Sequence, residues 1–293
     1  MDAPPLTLNA WLRYDLIERT LAGLDGIESI LEIGAGRGAL GARLATRYRY
    51  VGVEPDELSC EAAKEVLGRL GSGEMICGDV SALPEAAVFD AVCAFEVLEH
   101  IEDDAAALRA WRERLRPEGR LLMSVPLYQR RYAAADRFVG HFRRYDPEPL
   151  AELLRETGFA DVKLMTFGFP LGHVLEKSRN LLARVAKPDE SQEERTGASG
   201  RRFQPSGRAG LATQALSAPF RYAQRPFYDT RLGAGLFAVA RASSVGRSCR
   251  TSASRDSRTA GRTCRPPGSA RTGPSGCPSP ESLPGRSPSS RTT

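Results

Sequence analysis

Two short stretches concentrate the side chains that could move protons or hold charge. FEVLEHIEDD (95–104) supplies Glu96, Glu99 and His100. If the chain coils there, offsets of three and four bring all three to one face. Such a set supports three kinds of chemistry. Glu99 or His100 could act as a general base toward a hydroxyl, amine or thiol. Glu96, Glu99 and His100 could together hold a divalent ion that lowers the pKa of a bound hydroxyl. The plainer alternative is that Glu99 and His100 only cap and hydrogen-bond their loop. The reading adopted is acid–base chemistry with no resident metal. DRFVGHFRRYD (136–146) adds His141, Arg143, Arg144 and Tyr145. His141 serves as a base or a ligand, and Arg143, Arg144 and Tyr145 are the expected substrate contacts, an arginine gripping a carboxylate or phosphate. The competing reading has solvated arginines and a Tyr145 packed in the core. The chain has three histidines, and His173, at a helix start, reads as structural.

The elements that must position these groups emerge from the apolar pattern. Strand-like runs at 29–34, 50–55, 74–79, 89–96, 120–126, 161–168 and 235–241 alternate with helical periodicity at 9–24, 39–48, 55–70, 103–115 and 147–157. Strands separated by helices of this length predict a Rossmann-like, doubly wound α/β fold: a mostly parallel seven-stranded sheet with helices on both faces. RPEG (116–119) reads as the turn that starts the fifth strand. Ligands of such folds sit in the crevice at the strand C-termini, where the first strand meets its helix. That junction is LEIGAGRGALG (31–41). One register, Gly36-x-Gly38-x-x-Gly41, matches a dinucleotide loop, with Glu54 for a ribose. The other is Glu32-x-Gly34-x-Gly36-x-Gly38, an acidic residue before alternating glycines.

The residues at the ends of the later strands favour the second register. Glu54 closes the second strand, placed for two ribose hydroxyls. Asp79 and Val80 come directly after the third strand, where a carboxylate can accept from an adenine amino group, and the fourth strand ends in Phe95 and Glu96. In this order the features resemble the class I S-adenosylmethionine-dependent methyltransferases, particularly the small-molecule branch that includes the ubiquinone-pathway enzymes. The resemblance covers about residues 28–168 and 235–241. It implies S-adenosylmethionine as cofactor, bound by Glu32, Gly34, Gly36, Gly38, Glu54, Asp79, Val80, Phe95 and Glu96, with Trp11 and Tyr14 as a cover. It implies methylation of a small or lipid-like acceptor, most readily at oxygen. Certain relatives with a similar Glu-x-x-Glu-His element are reported to use a metal. An NAD(P)-dependent oxidoreductase is one rival, weakened because no tyrosine among Tyr14, Tyr48 and Tyr50 is followed by lysine at an offset of four. A non-catalytic cofactor-fold binding protein is the other.

Composition sets outer bounds. The chain has 293 residues and a net charge of +5. Residues 243–293 contain nine arginines against Asp256 and Glu281, no aromatic residue, thirteen serines and seven prolines. Such a segment buries too little to order itself and reads as a disordered basic tail. Its excess of seven positive charges exceeds that of the whole chain, so residues 1–242 are near neutral and a nucleic acid partner is not expected. The expected domain is 1–242, with a helical and loop insertion at about 169–234 that could serve as a lid or partner surface. Cys60, Cys77 and Cys93 show no metal or disulfide spacing. The absence of a signal-like or membrane-spanning run suggests a cytoplasmic protein.

Overall fold

The computed structural model describes residues 3–185 and 207–243. The expected tail, 243–293, lies outside these residues apart from Ser243, and so does most of the polar stretch 187–210. In chain order the elements are α1 (Leu8–Ala22), β1 (Ser29–Ile33), α2 (Gly41–Leu44), β2 (Arg49–Glu54), α3 (Glu57–Leu70), β3 (Glu74–Cys77) and β4 (Phe89–Phe95). They continue with α4 (Asp104–Glu113), β5 (Leu115–Pro126), α5 (Ala134–Val139), α6 (Pro147–Glu156), β6 (Phe159–Phe167), α7 (Leu171–Val185), α8 (Gly207–Ala223) and β7 (Gly235–Ala242).

The seven strands form one sheet in the order β3-β2-β1-β4-β5-β7-β6. All pairings are parallel except those of β7, which runs antiparallel to both β5 and β6. Strands covered on both faces carry unbroken apolar runs rather than alternation. Every residue of β1 is buried, and so are all of β4 but Asp90. On one face Trp111 and Leu108 of α4 and Leu150 and Leu154 of α6 pack on the sheet; on the other, Leu16 and Ile17 of α1 and Ala63 and Leu67 of α3 do.

Four local outcomes differ from the sequence expectation. The helix after the glycine loop is one turn, 41–44, because residues 45–48 already turn back toward β2, with Arg47 N donating to Leu44 O at 3.0 Å. The RPEG turn is absorbed into β5 as an irregularity: Phe89 pairs with Leu115 and Ala91 with Arg120, and the extra residues bulge out with Glu118 at φ 65°. DRFV is helical rather than loop, ended by Gly140 in the left-handed conformation (φ 81°). Finally, Cys60 on α3 and Cys77 on β3 form a disulfide, with sulfurs 2.07 Å apart. A seventeen-residue separation matches no sequence motif, so only the fold could bring the pair together. Closing a loop of about 15 residues removes unfolded-state freedom worth about 3 kcal/mol.

The insertion is anchored from both ends. Asp15 of α1 accepts from Arg225 Nη2 (2.6 Å) and from Tyr228 Oη (2.8 Å), and Gln224 Nε2 donates to Leu12 O (2.7 Å). At the other end, α7 lies on α5, where Ala135 N donates to Asn180 Oδ1 at 3.0 Å. Among the described residues no helix is long and apolar enough to cross a membrane.

Candidate active site

A cavity of about 1300 Å³ opens at the C-terminal ends of β1, β2, β4 and β5 and is roofed by α5 and α7. Pockets for one small ligand run to roughly 300–1,000 Å³. There is room for a cofactor and an acceptor side by side.

One end is built from backbone. Gly34 and Gly36 both have positive φ, 69° and 54°. A Cβ at Gly34 would lie 2.6 Å from Val97, whereas one at Gly36 would meet nothing within 4 Å and would project into free space at the cavity wall. Gly38 turns away and packs on Ala63 of α3. Gly36 N donates to Glu54 Oε2 (2.8 Å) and Asp56 N to Glu54 Oε1 (3.0 Å), so the loop and the carboxylate hold each other. Burial raises the Glu54 pKa against these two bonds. Opposite, Asp79 accepts from Ser81 N and Oγ at 2.8 and 2.6 Å, and these bonds hold its pKa down. Ser59 Oγ, in the same wall, is buried and has no hydrogen-bond partner among the described residues. Glu32 does not reach the cavity. It is buried behind the loop, accepts from Tyr50 Oη at 2.6 Å, and burial pushes its pKa up to about 7.

The other end is built from buried side-chain pairs. Glu96 closes β4 with φ 59°, a strained conformation for a residue bearing Cβ. It is held by Ser124 Oγ, which donates to Oε1 at 2.7 Å. Arg13 Nη1 of α1 lies 3.2 Å from the same oxygen. That N–H does not point at it, and Arg13 Nε also lacks an acceptor, although the side chain is buried and stands 5.1 Å over the Phe95 ring. Glu99 sits in the turn Leu98–His100, fully buried, with neither carboxylate oxygen hydrogen-bonded among the described residues. Burial, reinforced by Glu96, pushes its pKa well up. His100 meets His141 edge to face, with ring centres 4.6 Å apart, and burial pulls its pKa down to about 3. His141 Nε2 lies 3.8 Å from Glu99 Oε1, and its Nδ1 lies 2.9 Å from Asp136 Oδ1. Burial alone would raise the Asp136 pKa, but His141 and Arg144 bind the carboxylate and hold it at about 2. An ionised Asp136 only accepts, so Nδ1 carries a proton, and in the neutral imidazole Nε2 keeps its lone pair.

The three expected substrate contacts fare differently. Arg144 lines the cavity but is committed, donating to Asp136 Oδ1 from Nε (2.7 Å) and pairing with Glu176 of α7. Arg143 points away, to Asp104 Oδ2 (2.7 Å) and Glu102 O (2.6 Å). Tyr145 is buried, with Oη donating to Asp104 at 3.0 Å. Val80, Phe95 and Glu96 line the wall. Trp11 and Tyr14 do not cover it. Arg221 stacks on both rings, while Ala10 and Arg13, one residue earlier in each case, face the cavity. A one-residue step turns a helix by about 100°. Asp136, Arg13 and Arg179 of α7 also line the cavity and were not foreseen. A lone arginine beside Leu12 and Leu16 was the one available signal.

With this geometry in place, the relatives can be compared. Residues 9–164 match the family model described as a methyltransferase domain. The chain belongs to that family, within the S-adenosylmethionine-dependent methyltransferases. It is 31% identical over 188 residues to a ubiquinone biosynthesis O-methyltransferase of Neisseria meningitidis serogroup C, covering 57% of this chain and 76% of that one. A protein of the same name from Leptothrix cholodnii is 32% identical over 121 residues, 39% of this chain and 50% of that one. The chain spans about half the length of several such relatives. Phosphoethanolamine N-methyltransferase 2 of Haemonchus contortus, solved with S-adenosyl-L-methionine, shares the fold. Its TM-score is 0.51 at 16% identity, over 82% of this chain and 54% of that one. None of these relatives is a nicotinamide oxidoreductase.

Proposed function

We propose that this chain transfers a methyl group from S-adenosylmethionine to a hydroxyl of a small, lipid-like acceptor. The observation that carries this reading is the meeting, in one cavity, of the Gly34–Gly36 loop with Glu54 and of His141 held by Asp136. The cofactor supplies an activated methyl on a positive sulfur. Glu54 would take the ribose hydroxyls, Asp79 the adenine amino group and Ser59 Oγ a further polar atom, while Arg13, ion-paired with Glu96 through Nη1, would offer its Nε–H to a carboxylate. His141 Nε2 would accept the acceptor's hydroxyl proton as the oxygen attacks in line, and Asp136 would stabilise the resulting imidazolium. Phe138, Val139 and Leu182 offer the acceptor an apolar wall. The near-neutral body favours a small molecule over nucleic acid, and residues 1–242 form the working unit. A cytoplasmic site goes with this reading, although a disulfide is uncommon there; cell fractionation checks it.

A second reading has a specific observation behind it. The ligand atoms of Glu99, His100 and His141 lie within 4.8 Å of one another. Two carboxylate oxygens and His100 Nδ1 there are buried and unbonded, and Asp136 backs His141 as outer carboxylates back metal-bound imidazoles. The donor set fits a divalent ion held by Glu99, His100 and His141. Glu96, expected in that set, is engaged by Ser124 and Arg13 instead. Calorimetry with S-adenosylhomocysteine tests the first reading: binding is expected for the native chain and at least about tenfold weaker binding for Glu54→Ala, while binding of NAD alone overturns it. Activity that survives exhaustive chelation rules out the ion.

A further inference from the structure

The Cys60–Cys77 bond takes no part in the proposed chemistry, yet it runs beneath one end of the cavity. Cys60 is fully buried near the start of α3, directly after Ser59. Cys77 ends β3, directly before Gly78 and Asp79. Glu54 is the register partner of Cys77, and Gly78 N donates to Glu54 O at 2.9 Å. The bond therefore joins the segment carrying Glu54 and Ser59 to the one carrying Asp79 and Val80, and all four residues line the cavity. Outside the bond, the second segment is held by β2, by Arg114 Nη2, which donates to Val80 O at 3.1 Å, and by Leu83 in the core. β3 is an edge strand of four residues whose described pairing is with β2, and Met75 is its one buried side chain. The Asp79 carboxylate is tied only within its own turn, to Ser81.

We propose that Cys60–Cys77 is a redox modification site that sets cofactor affinity. The proposal rests on the reading that this cavity takes S-adenosylmethionine. Closed, the bond holds the Gly78–Val80 turn against Glu54 and Ser59; opened by a dithiol reductant, it lets that turn drift. A reductant thiolate attacks Cys77 Sγ, since Cys77 is the partly exposed residue of the pair, and the S–S bond breaks. Cys60 leaves as a thiolate and takes up a proton. The reductant's second thiol, deprotonated, then attacks the reductant sulfur of the mixed disulfide, and Cys77 leaves and is protonated. Two electrons pass to the protein, which ends with two thiols, while the reductant ends as its own disulfide. A small-molecule disulfide reverses the sequence. Glu61 Oε1, 3.6 Å from Cys77 Sγ, is paired with Lys64 Nζ at 2.9 Å, so the incoming thiolate meets a compensated charge there.

The test is the affinity of the full chain for S-adenosylhomocysteine, by calorimetry, before and after dithiothreitol. Peptide mapping distinguishes Cys60 and Cys77 from Cys93, Cys249, Cys264 and Cys277. Reduction is expected to weaken binding about tenfold, a loss of about 1.4 kcal/mol. A Cys60→Ser/Cys77→Ser chain should bind like the reduced form and ignore dithiothreitol. Equal affinity with the bond mapped as open overturns the proposal, as do two free thiols under oxidising conditions. Binding in neither state overturns the cofactor reading and this proposal together, whereas equal binding overturns this proposal alone.

Discussion

The two ends of the cavity are held in different ways. At the glycine loop the fixed points are backbone amides: Gly36 N and Asp56 N grip Glu54, and Ser81 grips Asp79 across two residues. At the histidines the fixed points are side chains from distant segments. Asp136 is bound by His141 and Arg144, Arg144 reaches Glu176 of α7, and Arg13 from the first helix approaches Glu96. A backbone cradle tolerates change in neighbouring side chains. A buried ionic cluster fails when one member is lost, because the remaining charge stays buried without its partner.

That contrast can be broken in a graded way. His141→Asn should lower kcat by about 10²–10⁴-fold with S-adenosylhomocysteine affinity unchanged, as expected of a base that touches only the acceptor. Steady-state kinetics beside calorimetry checks both halves. Arg144→Met should cost about 3–5 kcal/mol in urea unfolding, since it removes the buried guanidinium that Asp136 and Glu176 share. An equal loss for Arg143→Gln would erase the distinction between buried and rim arginines, because Arg143 is partly exposed and loses only its bonds to Asp104 and Glu102 O. For Arg143→Gln we expect kcat/KM within about twofold of native and under about 1 kcal/mol of stability lost.

A subtler difference concerns pH. The Glu32 pKa in the folded chain is about 7, against 4.5 when free, because burial favours its neutral form. Its contribution to stability is fully present below pH 4.5 and is lost as pH rises toward 7, since the folded state binds the extra proton throughout that window. Glu32→Gln should flatten this part of the stability profile. Unchanged slopes in thermal unfolding between pH 4.5 and 7 would show that Glu32 is ionised in the folded chain.

Much of the backbone-held end was legible in the sequence because each motif lies at a strand end that an apolar run marks. Glu54 closes its strand, and Gly34 and Asp79 lie one and two residues beyond theirs. The side-chain-held end was legible only in part. His100 and His141 were singled out and do meet, yet Asp136, which orients His141, stood unnoticed as the first letter of its motif. Its helix is six residues long and shows too little periodicity to be seen. Arg143 and Arg144 are neighbours in sequence and opposite in fate, which only the direction of the chain in space decides. Cys60 and Cys77 met for the same reason, through the parallel crossover from α3 into β3.

The reversed strand has a consequence for the order in which the molecule can form. β6 has no neighbour in the sheet but β7, and β7 lies between β6 and β5. A chain emerging from the ribosome therefore carries β5 as a bare edge and β6 as an orphan until residues 235–242 arrive, well after β6 is complete at Phe167. The five strands β1–β5 can assemble early, but the far side must wait for the last element. Until then the nascent protein exposes a templating edge that a chaperone, or a second nascent copy, is free to occupy.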